Sequence, residues 1–212
     1  MPNIPSIQPD PLLPEYFWNQ AAGRYASRTS GRFVGQTTIR GELDKALDRI
    51  TENSLLLTDQ FRQGSIDGRQ WQIQIMQNIK QVHLISGAIE KGGWAQLSQG
   101  DFGRIGSLIK REYGWFNNLV KQIESGEQVL NGTLNNRIRL YMQAGRSTFH
   151  VLEREDEATK GKSEEKRILN ARDHCSDCVQ YALMSWQPIG TLPVPGEKSV
   201  CRANCRCTME FR

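Results

Sequence analysis

Between residues 38 and 153, apolar side chains return at steps of three and four, the spacing that lines them along one side of an α-helix. Ile39, Leu43, Leu47, Ile50, Leu57 and Phe61 form the first stripe, and Gly64 ends it. Asp67 is placed to cap a second, which carries Trp71, Ile75, Ile79, Val82 and Ile89 until Gly92-Gly93 stops it. A third opens at Ser98 or Asp101, holds Phe102, Ile105, Ile109, Phe116, Leu119 and Ile123, and closes near Gly126. A fourth starts around Asn131 or Thr133 and runs through Leu134, Ile138, Tyr141 and Thr148. Long helices joined by short turns favour antiparallel neighbours, so the pattern predicts a mainly α protein built on an antiparallel helical bundle. No strand alternation of any length interrupts the region.

The flanks differ. Residues 1–37 read as an extended, proline-rich arm, because Pro2, Pro5, Pro9, Pro11 and Pro14 fix φ and remove amide donors. Apolar residues are interleaved with those prolines, among them Tyr16, Phe17 and Trp18. Two readings stand: a strap packed on its own domain, or an arm whose Tyr16, Phe17 and Trp18 bind a neighbouring subunit. Residues 154–172 read as a charged linker or helix end, since eleven of the fifteen residues from 153 to 167 are charged with nearly balanced sign.

Composition narrows the class. The chain has 212 residues, of which 38% are hydrophobic and 24% charged, which is ordinary for a globular protein and excludes collagen-like and wholly disordered chains. The longest apolar run, Tyr181 to Met184, is far too short for a transmembrane helix. Residues 1–23 carry no Lys or Arg, so no secretory signal is expected and the protein is expected to act without crossing a membrane. The net charge of +4 arises in the first 150 residues, with 17 basic against 13 acidic side chains. That surplus permits contact with nucleic acid without demanding it.

The cysteines are the most uneven feature. All five fall in the last 38 residues, as Cys175, Cys178, Cys201, Cys205 and Cys207. An odd count without a signal peptide argues against a secreted disulfide framework. Two clusters of close thiols separated by twenty-two residues instead match a tetrahedral zinc site, each cluster offering two sulfurs about 2.3 Å from one metal. Residues 173–212 are thus expected to form a small module stabilised by a structural zinc ion. Cys175 and Cys178 are the surest pair, and Cys201 and Cys205 are preferred from the second cluster. Cys207 competes with Cys205, and His174 can substitute for a sulfur that faces away. The plainer alternative is a set of reduced, packed cysteines or opportunistic disulfides.

Catalytic constellations are hard to find. His83, His150 and His174 are far apart in sequence, and the first two sit inside helical patterns as partly buried residues. No phosphate loop, GxSxG elbow or HExxH is present, so the protein is not expected to be an enzyme. A redox role for the CxxC lacks the helix-initiating context that lowers a thiol pKa. A runner-up function is a nucleic-acid-binding zinc module, in which Arg202, Arg206 and Arg212 contact phosphates.

The C-terminal string resembles the end of the phage head morphogenesis, or minor capsid, proteins similar to phage Mu protein F. The matching elements are the CxxC, Trp186-Gln187-Pro188-Ile189-Gly190, Leu192-Pro193-Val194-Pro195-Gly196 and Asn204-Cys205-Arg206-Cys207, the terminal CRC being the most specific. Residues 92–126 and 137–149 look like the helical region of the same proteins, so the resemblance covers residues 40–212. Many members place a His shortly before the CRC, where this chain has Cys201. The resemblance implies a minor structural component of the virion, assembled in the host cytoplasm and associated with the portal vertex or head–tail junction. Its implied partners are portal, major capsid or neck proteins, with unspecific contact to packaged DNA, no membrane and no small-molecule substrate.

Overall fold

The computed structural model describes residues 12–170 and 172–212. Capping side chains set the starts of the second, third and fourth helices. Helix α1 spans Gln36–Arg62. Helix α2, Gly68–Lys91, starts at a capping box in which Asp67 accepts from the Gln70 amide and Gln70 reaches back to the Asp67 amide. Helix α3, Gln99–Glu124, starts the same way from Ser98, with Asp101 as the reciprocal partner, so both residues proposed as its start share the task. Asn131 caps α4, Gly132–Gln143.

The predicted fourth helix is two. The chain breaks at Ala144 and continues as α5, Gly145–Thr159. Close packing accounts for the residue at the break, since a Cβ on Gly145 would sit 2.7 Å from Ser86 Oγ and 2.8 Å from the Val82 carbonyl. Only glycine lets α5 start against the side of α2.

Helix α2 is the central element, contacting α1, α3, α4 and α5. Trp71, Ile75, Ile79, Val82 and Ile89 are buried there, against Leu47 of α1, Phe116 of α3, Ile138 of α4 and Phe149 of α5. The stripe was correctly anticipated except at Phe102, which is exposed. Polar groups inside the bundle are satisfied locally. Thr51, Ser54 and Thr58 donate to the carbonyls of Leu47, Ile50 and Ser54 at 2.7 Å. They in turn accept from Gln143, Asn78 and Trp71.

The arm is not extended throughout. Tyr16–Asn19 (β1) and Arg24–Ser27 (β2) pair as an antiparallel hairpin, with Trp18 opposite Tyr25. Strand alternation puts Tyr16 and Trp18 against the bundle core, while Phe17 stays outside that cluster. Gly92, which ends α2 in the left-handed region at φ 94°, also makes room for the Trp18 indole, 2.1 Å from where a Cβ would stand. Tyr25 donates to the Ile89 carbonyl at 2.8 Å. Within the described residues the strap reading therefore holds for Tyr16 and Trp18. Pro2, Pro5, Pro9 and Pro11 lie outside the described residues.

The charged segment is not a spacer. Its first residues complete α5, and Glu164–Ile168 form β3, the middle strand of a three-stranded antiparallel sheet. Its neighbours are β4, Gln187–Pro188, and β5, Thr208–Phe211. Helix α6, Ser176–Leu183, follows the first cysteine.

Candidate metal centre

The small sheet and α6 bring all five cysteines together. Cys175 occupies the N-cap position of α6 and Cys178 lies in its first turn. Cys201 and Cys205 flank a single 3₁₀ turn, Arg202–Asn204, and Cys207 immediately precedes β5. The Val200 backbone N–H donates to the Asp177 carboxylate at 2.8 Å and ties the two cysteine clusters together.

The sulfurs form two overlapping groups, Cys175–Cys178–Cys201 and Cys178–Cys205–Cys207, with every pair in a group within 4.8 Å. The Sγ separations are 3.5 Å for Cys175–Cys201, 3.6 Å for Cys178–Cys201 and 3.5 Å for Cys178–Cys205. Thiolates around a tetrahedral zinc stand about 3.8 Å apart, as the metal–sulfur distance of roughly 2.3 Å requires. The cysteine clusters can therefore hold a metal ion. Cys178 belongs to both groups, whereas His174 belongs to neither.

The surroundings favour negative charge on Cys205, whereas burial pushes Cys178 and Cys201 up. Arg167 is 1% exposed, and its Nη1 lies 3.7 Å from Cys205 Sγ. Its Nη2 donates to the Pro193 carbonyl, its face packs on the Tyr181 ring, and its Nε has no partner. Among the described residues no carboxylate pairs with this guanidinium. A buried charge without a counter-ion is costly, and a cluster of metal-bound thiolates supplies one. Hydrogen bonding from Cys207 holds the Cys205 thiol well below the ordinary range, with Arg167 acting in the same direction. The same contact pushes Cys207 up.

Arg167 was not singled out from sequence, where it sits inside the charged stretch. The signal was there in part: in β3 the buried positions alternate as Glu165 and Arg167, with the period of a strand. Glu165, fully buried, lies 2.8 Å from Arg154 of α5 and accepts from the Leu192 amide. Contrary to the expectation from sequence, the CxxC does open a helix, with Cys175 at its N-cap.

The cysteine module is docked on the bundle by paired charges. Asp44 of α1 receives both Arg146 of α5, at 2.6 Å, and Arg206 of the CRC, at 3.0 Å. Arg146 also donates to the Ala203 carbonyl at 3.3 Å. Of the three arginines considered as phosphate contacts, Arg206 is thus engaged by Asp44, and Arg212 pairs with Glu164 and lies over Trp186. Arg202 is exposed and carries the left-handed backbone φ of 46°.

His83 and His150 are more deeply buried than anticipated. His83 meets Thr148 Oγ1 at 2.6 Å, and burial lowers its pKa to about 4. His150 meets Glu153 at 3.0 Å. Both serve the packing of α5. No helix among the described residues is long and apolar enough to cross a membrane. Comparison with protein-family models, curated proteins and solved structures finds no match to this chain.

Proposed function

We propose that the chain is a minor structural protein of a phage head, taking part in head morphogenesis near the portal vertex or the head–tail junction. In this reading one structural zinc is held by Cys175, Cys178, Cys201 and Cys205, with Cys207 as the fifth, competing thiol. The observation that carries the reading is the physical union of the two stretches that resemble that family. The helical region and the cysteine string are clamped together through Asp44, Arg146 and Arg206. A fully thiolate-ligated zinc has no open coordination position, so its role is to hold the loop between the cysteine clusters. Arg167 fits that role as the buried cation facing the sulfurs. Of Tyr16, Phe17 and Trp18, Phe17 is the one outside the core cluster, which leaves it to meet a portal, capsid or neck protein.

Quantitative mass spectrometry of purified virions and procapsids tests the assignment. The protein should be counted in at least one particle at low copy, and its absence from both, with portal protein readily counted, would sink it. Elemental analysis should give one zinc per chain; far less, with intact thiols, removes the metal from the proposal. Phe17→Ala should lower incorporation without changing the melting temperature.

A further inference from the structure

A cavity of about 470 Å³ lies where α3, α4 and the cysteine module meet. Glu112, Trp115 and Asn118 enter it from one face of α3, at three-residue steps. Arg137 and Tyr141 come from α4, and Arg202 from the turn between the second-cluster cysteines.

Three features of these residues are unexplained by the fold. Glu112 is 5% exposed, yet its carboxyl has no hydrogen-bond or ion-pair partner among the described residues. The carboxyl lines the cavity, where a donor from elsewhere can reach it. Trp115 is 50% exposed and lines the cavity, with the Arg111 guanidinium 5.3 Å from its ring centroid and paired with Glu197. Arg137 is held by the neutral side chains of Gln122 and Gln128, at 2.6 and 2.9 Å. Arg202 is held in the left-handed region, where a non-glycine residue costs energy. Among the described residues neither arginine has a carboxylate partner.

We infer that this cavity binds a nucleotide, its base stacked on Trp115 with the N–H edge toward Glu112, and its phosphate toward Arg137 and Arg202. Each unexplained group then receives what it lacks: an aromatic face, a pair of donors and an anion. The volume lies in the range of small-ligand sites. Base stacking on an aromatic side chain and charge-assisted contacts from Arg to phosphate are the standard means of holding such a ligand. Guanine fits best, because its Watson–Crick edge carries two neighbouring donors that match a carboxylate. The ligand is either a free mononucleotide or one unit of a single strand.

Calorimetric titration of the full chain with guanosine monophosphate, adenosine monophosphate, inorganic phosphate and a short guanine-containing single-stranded oligonucleotide tests the inference. Guanosine monophosphate should bind more tightly than adenosine monophosphate, and both more tightly than phosphate. Glu112→Gln, nearly isosteric, should weaken guanosine monophosphate about tenfold or more. Arg202→Ala, on an exposed residue, should weaken both nucleotides alike. An oligonucleotide that outbinds the mononucleotide assigns the site to a strand; equal affinity assigns it to free nucleotide. No binding at millimolar nucleotide overturns the inference. So does phosphate binding as well as nucleotide, or nucleotide binding that Glu112→Gln and Arg202→Ala leave unchanged in proteins that melt like the parent.

Discussion

The helical bundle and the cysteine module solve the same problem with different materials. The bundle wraps α2 in apolar side chains, with Trp71, Ile75, Ile79 and Phe116 almost wholly removed from water. The module buries three sulfurs, of Cys178, Cys205 and Cys207, alongside Arg167 and Glu165, and exposes Leu183 and Val200. Apolar burial stabilises without any ligand, at about 25 cal/mol per Å². A cluster of thiols beside a buried guanidinium stabilises only when its charges are matched. One chain thus joins a region packed on apolar side chains to a region whose cysteines can hold a metal ion.

Removing the metal should break the comparison most sharply. Chelation is expected to remove on the order of 10 kcal/mol of apparent stabilisation from the module. Hydrogen exchange should then rise across residues 164–212 while α1, α2 and α3 keep their protection. Equal loss in both regions would mean that the bundle depends on the module. Within the site, Cys178→Ser should weaken metal binding most, since Cys178 belongs to both sulfur groups, and Cys207→Ser least. Competition with a chromogenic chelator reads both.

The converse experiment strikes the bundle. Phe116, fully buried, packs tilted against Trp71 and edge-to-face against Tyr141, at centroid distances of 5.4 and 5.6 Å. Phe116→Ala should cost about 3–5 kcal/mol of global stability in denaturant titration. The metal content of the folded protein should not change.

The same division explains what was legible in the sequence. Helices α1, α2 and α3 were readable because the amphipathic period runs through 24 to 27 residues each, and in α2 and α3 the capping residues agree with it. The cysteines were readable because thiol spacing is itself the signal. The hairpin was hidden, since strands of four residues show too little alternation and the nearby prolines pointed the other way. Strand β3 was hidden for a different reason. Its inward residues are Glu165 and Arg167, whose burial is permitted by partners elsewhere in the chain: Arg154 and the Leu192 amide for Glu165, the Pro193 carbonyl and the Cys205 thiol for Arg167. The break at Ala144 leaves no proline or capping side chain to read, only the approach of Gly145 to α2. Glu112, likewise, looks in sequence like any helix-surface acid.

Arg167 sharpens the comparison from the module's side. Arg167→Met keeps much of the volume while removing the cation beside Cys205. Metal affinity should fall by about tenfold, the range seen when outer-shell partners of a metal site are lost. Arg167→Lys should recover part of it, and the thermal stability of the bundle should move little. A variant that unfolds globally without weakening metal binding would make Arg167 a packing residue alone.

The smallest expected effect tests whether the bundle is truly free of electrostatic cost. Glu90, near the end of α2, lies 4.0 Å from Lys91, which is itself paired with Asp101 at 3.1 Å and with Asp156. Burial, reinforced by Asp156, pushes the Glu90 carboxyl up to about 9, although Lys91 opposes the shift. The folded state therefore holds a proton that the unfolded chain releases above its ordinary value of 4.5. Stability from this group is complete below that value and is lost as pH rises towards about 9. Glu90→Gln cannot titrate, so it should match the parent near pH 4 and gain about 1–3 kcal/mol by pH 8. His83 acts in the opposite sense: its lowered pKa of about 4 makes stability rise with pH up to its ordinary value of 6.5. The difference between variant and parent cancels that contribution. A difference curve flat from pH 4 to 9 would show that Glu90 is ionised in the fold and matched by Lys91. The bundle would then resemble the module in resting part of its stability on a buried ion pair.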